Sequence, residues 1–259
     1  MRRIQLDGAA PALHACAAHG LLALALGDGR VAVHSVRCMV TAGTDDPSSC
    51  VLRLSDHSDD VTALAFGNVL EDEAVTLCTA ARDGVLLTTL RVVTHDDGES
   101  ADLVQRVVAD DAIELIGVVD REVHGVAFSA DDDTLVACIG DEARVIDVAT
   151  GDVLSILRGH RGAVVACGFI ADSDGRRLLI TAGGAEDRAL KLWDLDECAV
   201  VFESAIGAAA AISLDVDSIR SRFAVGTADG CVRTYIVADR DEEASPPRAS
   251  PPRPPRTSR

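Results

Sequence analysis

Residues 159–194 read GHRGAVVACGFIADSDGRRLLITAGGAEDRALKLWD. Three apolar runs stand in this stretch, Val164 to Phe169, Leu178 to Thr181 and Leu190 to Trp193, and the turn before the third is acidic and glycine-rich, Glu186-Asp187-Arg188. Short β-rich runs joined by such turns read as hairpins of antiparallel strands. A fourth run, Ala199 to Phe202, follows at once. One contiguous piece of chain is therefore expected to form a four-stranded antiparallel sheet.

The same plan recurs. Acidic turns appear at Gly27-Asp28-Gly29, Arg82-Asp83-Gly84, Gly140-Asp141-Glu142 and Ala228-Asp229-Gly230, each between two apolar runs. From Asp to Asp the spacings are 55, 58, 46 and 42 residues, and the shorter two match the ~40 to 45 residues of one propeller blade. The longer spacings contain extra loops, Thr41 to Ser49 and His95 to about Asp111, and Ala112 to Val119 is the place for an extra strand. First strands precede three hairpins, ending in Phe66, Phe128 and Phe169; fourth strands are expected at Cys50 to Leu54, Leu103 to Val108, Val153 to Leu157 and Ala199 to Phe202.

Gly159-His160 followed by Leu190-Lys191-Leu192-Trp193-Asp194 resembles the Gly-His and Trp-Asp signature of WD-repeat β-propellers, in a register that extends over roughly residues 2 to 238. The resemblance implies an all-β propeller of four-stranded antiparallel blades. It also implies a tetrad in each blade, made by a His, a Ser or Thr on the second strand, an Asp in the turn and a Trp on the third strand. His160, Thr181, Asp187 and Trp193 fill all four places. His57, Thr79 and Asp83 fill three, with Thr89 in the Trp place; the last repeat offers Asp229 and Tyr235; the first and third put His34 and Asp147 where Trp belongs. Propellers of this family commonly close with an amino-terminal strand, and Arg3-Ile4-Gln5-Leu6, alternating polar and apolar, is the expected donor. Five countable repeats are fewer than the family's usual seven. Five blades are favoured over divergent blades hidden in insertions or a ring completed by a partner.

The chain divides into a propeller over residues 1–239 and a tail over 240–259, where six of the eight prolines lie. Such a segment buries too little apolar surface to offset its ordering entropy and is expected to be disordered with polyproline II character. Pro251, Pro254 and Arg256 fit P-x-x-P-x-R, a pattern docked by aromatic-lined grooves in proline-binding domains.

Composition narrows the function. A formal charge of -18 would repel a polyanion, and seven aromatics leave little for base stacking, so no nucleic-acid partner is expected. No apolar run approaches the ~18 to 20 residues of a membrane span. Asp7, His14 and His19 break the stretch a cleaved signal would need. The eight cysteines include no C-x-x-C pair and several sit in apolar runs, which points to reduced, buried thiols and to cytosol or nucleus. The single Lys, Lys191, and single Asn, Asn68, read as the mark of GC-rich coding rather than of chemistry.

No phosphate-binding loop, H-E-x-x-H, G-x-S-x-G or dinucleotide fingerprint occurs. The acidic runs Glu71 to Glu73 and Asp131 to Asp133 read as solvated turns, and Cys78, Cys138 and Cys167 as packing thiols. No catalytic, metal or cofactor residue is assigned. The family resemblance implies a non-catalytic scaffold for other proteins, whose partners carry basic patches because the ring is acidic. The alternatives are a propeller enzyme with a polar central channel, or a ubiquitin-ligase substrate receptor; against the receptor, Asp196 stands where Arg would follow the Trp-Asp pair.

Overall fold

A computed structural model describes residues 14–36, 50–68, 74–95, 104–171, 176–217 and 220–237. Among the described residues five sheets succeed one another, antiparallel throughout. Blade 1 pairs β1 (His14–Ala18), β2 (Leu21–Ala25), β3 (Val31–Ser35) and β4 (Cys50–Leu54) in that order. Blade 2 is built from β5 (Ala63–Phe66), β6 (Ala74–Ala81) and the long β7 (Gly84–His95), whose edge pairs both β8 (Val104–Ala109) and β9 (Ile113–Ile116). Blade 3 runs β10 (Val123–Phe128), β11 (Thr134–Ile139), β12 (Glu142–Asp147) and β13 (Val153–Arg158). Blade 4 runs β14 (Val164–Ala171), β15 (Arg177–Gly183), β16 (Ala189–Asp194) and β17 (Ala199–Ala205). Blade 5 has three described strands, β18 (Ala211–Asp217), β19 (Arg222–Thr227) and β20 (Val232–Ile236).

The middle strands of blades 1 to 4 read largely as apolar runs because both of their faces are covered. On β11, Leu135, Ala137 and Ile139 pack into the core shared with blade 2, while Val136 and Cys138 pack into the core shared with blade 4. All five are 0% exposed. Strands at the outer edge alternate instead, and Leu154 on β13 and Phe202 on β17 stand 54% and 53% exposed. Burial of this kind stabilises by about 25 cal/mol per Å² of apolar surface, so the seams between blades hold the fold.

The fourth strand of blade 2 comes in two pieces. β9 covers Val85 to Leu87 and β8 covers Leu90 to His95, so β7 and β8 extend the blade into a longer hairpin. The expected strand near 103–108 and the extra strand in 112–119 are thus consecutive parts of one edge. Two inner strands, β1 and β18, escape the rule of a closing Phe; β18 shows in sequence only by the alternation of Ile212, Leu214 and Val216. Neighbouring inner strands follow one another as β1, β5, β10, β14 and β18. No helix among the described residues is long and apolar enough to cross a membrane. Arg3 to Leu6 and the tail with Pro251, Pro254 and Arg256 lie outside the described residues.

Candidate functional site

In blade 4 a buried hydrogen-bond chain crosses the sheet. The Trp193 indole N–H donates to Thr181 Oγ1 at 2.8 Å, the Thr181 hydroxyl meets His160 Nε2 at 2.7 Å, and His160 Nδ1 meets Asp187 Oδ2 at 2.5 Å. Asp187 Oδ1 accepts the Arg161 backbone N–H at 2.9 Å. The donors run one way when the ring is neutral: indole N–H to hydroxyl, hydroxyl to Nε2, Nδ1–H to carboxylate. Burial favours that neutral ring and holds His160 below its ordinary value, outweighing the opposite pull of Asp187. Burial would raise Asp187, but the hydrogen bonds from His160 and the Arg161 N–H hold it below the usual carboxylate range. Gly183 lies against this carboxylate, and a Cβ there would overlap Asp187 Oδ2 and Cβ.

Blade 2 repeats three quarters of the arrangement. His57 reaches Asp83 Oδ1 at 2.6 Å and Thr79 Oγ1 at 2.8 Å, and Ser58 donates to Asp83 Oδ2 through its backbone N–H and its hydroxyl. Although burial pushes the Asp83 carboxyl up, the hydrogen bonds from Ser58 and His57 hold it down. The Trp place, however, belongs to Thr88 and not to Thr89. Trp193 pairs with Leu179, two residues before Thr181; the residue paired two before Thr79 is Thr88, opposite Leu77. Thr88 is buried and its hydroxyl has no partner among the described residues.

By the same register Ile146, not Asp147, takes the place in blade 3, and it is fully buried. Asp147 instead accepts the Thr150 N–H at 2.8 Å and hydroxyl at 3.0 Å, just as Asp194 accepts the N–H groups of Asp196 and Glu197. His34 occupies the place in blade 1; burial, then the charge of Arg53, push its pKa down. In blade 5 Tyr235 occupies it, stacked on Phe223 with ring centroids 4.8 Å apart. Asp229 bonds within its own turn, to the Thr227 hydroxyl at 2.6 Å and the Cys231 N–H at 3.3 Å. No hydrogen bond among the described residues joins Asp229 to Tyr235.

Two residues put down to coding bias on sequence grounds matter here. Lys191, opposite Thr181 in register, is sealed inside blade 4 with its side chain 6% exposed, and its ammonium stands 2.6 Å from Glu203 Oε2. Asn68 ties blade 2 to blade 3, donating from its side chain to Ser129 O at 2.8 Å and from its backbone to Asp132 Oδ1 at 2.8 Å. Asp131 and Asp132 are therefore bonded turn residues rather than merely solvated ones, since the Ser129 hydroxyl also donates to Asp131 Oδ1 at 2.5 Å. That bond, first among its causes, holds the Asp131 carboxyl down.

The inner strands of all five blades line a central channel. One end, of about 640 Å³, is lined by Ala17, His19, Leu64, His124, Cys167 and Asp215 among others. At the other end Phe66, Phe128 and Phe169, the three strand-closing rings, converge in a cavity of about 580 Å³. Small residues and aromatics dominate, with His19, His124, Cys167 and Asp215 as titratable groups at the first end. Among the described residues no three His, Cys, Asp or Glu side chains are grouped to hold a metal ion.

Residues 151–194 match a family model described as WD domain, G-beta repeat. Among solved structures, a chain of the mitotic checkpoint complex is similar at 16% identity and a TM-score of 0.59, over 85% of this chain and 60% of that one. The WD40 β-propeller domain of Doa1 is similar at 19% identity and a TM-score of 0.59, over 85% of this chain and 62% of that one. This chain thus covers about three fifths of the length of either. The matched repeat holds the complete hydrogen-bond chain from Trp193 to Asp187, and the likeness in fold extends over most of the remaining blades. The chain folds as a β-propeller, and its residues 151–194 match the WD repeat.

Proposed function

We propose that this propeller is a non-catalytic adaptor that presents its faces and loops to partner proteins within a multiprotein assembly. The observation that supports this most directly is an apolar patch on blade 5. Val232 and Ile236 on β20 are 72% and 66% exposed, and Ile212 on β18 is 64% exposed. Phe223, Val225 and Tyr235 fill the face turned to blade 4, so β20 presents Val232 and Ile236 on the opposite one. Ile212 adjoins that face across Gly226, whose missing side chain leaves Ile212 Cγ1 3.9 Å from where a Cβ would stand. Contiguous apolar surface of this kind marks interaction sites.

The hydrogen-bond chains of blades 2 and 4 serve in this reading as braces that hold the loops in place, with no chemistry of their own. Charge adds selectivity. The chain carries a net -18, and exposed acids such as Asp56, Asp59 and Asp60 favour partners with basic patches. Cytosol or nucleus suits the reduced cysteines. Arg3 to Leu6 supplies the fourth strand of blade 5, and the tail offers Pro251, Pro254 and Arg256 to a proline-binding domain. The rival reading, a propeller enzyme, rests on His124 and Asp215 at one end of the channel.

Affinity capture tests the proposal, using the full chain, a Val232→Asp/Ile236→Asp variant and a chain ending at residue 239. Bound proteins should be lost from the double variant and should weaken as ionic strength rises from about 0.01 M to about 0.15 M. Capture unchanged by the double substitution, or turnover of a small substrate abolished by His124→Ala, would sink the adaptor reading.

A further inference from the structure

Cys138 and Cys167 belong to different blades yet meet at one seam. Cys138, on β11, is fully buried in the core between blades 3 and 4, and Cys167, on β14, packs against that same core. The residue opposite Cys138 in register is Gly125. Cross-strand partners share a face, and a Cβ at Gly125 would point at blade 4, 3.4 Å from both Ala166 Cα and Val165 O. With no side chain at Gly125, the inner strand of blade 4 comes directly against this face, and Cys167 is the next residue along it. Cys167 thus packs against the buried cluster that contains Cys138. Cys167 is half-buried and lines both ends of the central channel, whereas Cys138 has no such access.

We propose that Cys138 and Cys167 form an oxidisable dithiol across the seam between blades 3 and 4, with Cys167 as the entry point for a hydroperoxide reaching the channel. The Cys167 thiolate attacks the peroxide oxygen, breaking the O–O bond and giving a sulfenic acid and hydroxide. Cys138 sulfur then attacks the sulfenic sulfur, the S–S bond forms, and the leaving hydroxide takes up the Cys138 proton as water. In sum two thiols and one hydrogen peroxide give one disulfide and two waters, with both electrons passing to the peroxide. Contact with Cys167 and burial push the Cys138 thiol well above its ordinary value, which suits it to wait protonated as the resolving partner. Strands β11 and β14 already lie against each other at this seam, so closing to the ~2.05 Å of a disulfide draws chiefly on side-chain rotation. The product staples two blades that hydrogen bonds within each sheet leave separate.

Peptide mapping of the intact, reduced chain after hydrogen peroxide treatment decides the matter. Trypsin cuts after Arg121, Arg144, Arg161 and Arg176, so Cys138 is the sole cysteine of residues 122–144 and Cys167 the sole cysteine of 162–176. The linked pair of these peptides, reversible by dithiothreitol, should form about tenfold faster than any disulfide of the exposed Cys198 or Cys231. In a Cys138→Ser chain, Cys167 should halt at the sulfenic acid and be captured by dimedone. The proposal is overturned if Cys138 stays fully alkylatable while Cys167 proceeds to the sulfinic acid, or if disulfides of Cys198 and Cys231 appear first.

Discussion

Trp193 is the chain's one indole, and Thr181 Oγ1 is the acceptor of its N–H. Trp193→Phe keeps most of the packing and removes that bond, so urea unfolding should show a loss of about 1 to 2 kcal/mol. Asp187→Ala should cost more, about 3 kcal/mol, because it strands the His160 Nδ1–H and the Arg161 N–H. Protonation makes the same point from the solvent side. His160 and His34 have folded values below the ordinary 6.5, so the unfolded chain binds protons more readily than the folded one. Their contribution is complete above about 6.5 and is lost as pH falls through the folded values. Asp187 and Asp83, held below 3.8, lose theirs lower still. Melting temperature should therefore fall between about pH 7 and pH 5, and His160→Gln should flatten the slope.

Elements explain where counting along the chain succeeds and where it slips. Strand pairing has a period of two and is indifferent to turn length, whereas an offset from the acidic turn is not. Blades 2 and 3 have two-residue turns, Ala81 pairing with Gly84 and Ile139 with Glu142. Blades 1 and 5 have three-residue turns, closed by Leu26 to Arg30 and by Thr227 to Cys231. An offset of six from Asp therefore lands correctly on His34 and Tyr235 but one residue late on Thr89 and Asp147. Most strands were legible as apolar runs because both of their faces are buried. The divided edge of blade 2 was not, since nothing in Leu103 to Val119 reveals that residues 110–112 interrupt one edge opposite Thr88 and Thr89. Thr88 carries a consequence of that substitution for Trp. Thr88→Val removes a buried hydroxyl without a described partner, and chemical denaturation should find the variant more stable by about 1 kcal/mol.

At the scale of the ring, the amino-terminal strand is the feature to test. If Arg3 to Leu6 pairs with β20, the amides of Val232 to Ile236 should exchange slowly in the full chain and markedly faster once residues 2–6 are removed, while β11 and β15 stay protected. Equal exchange in both chains would exclude that pairing. The single lysine has a different reach. Within these 259 residues ε-amine chemistry has one target, Lys191, and its side chain is 6% exposed and ion-paired inside blade 4. Lysine-directed acylating probes, cross-linkers and ubiquitin-transferring enzymes therefore meet their one ε-amine buried in the folded chain. Modification of Lys191 is thus a reporter of blade 4 coming open.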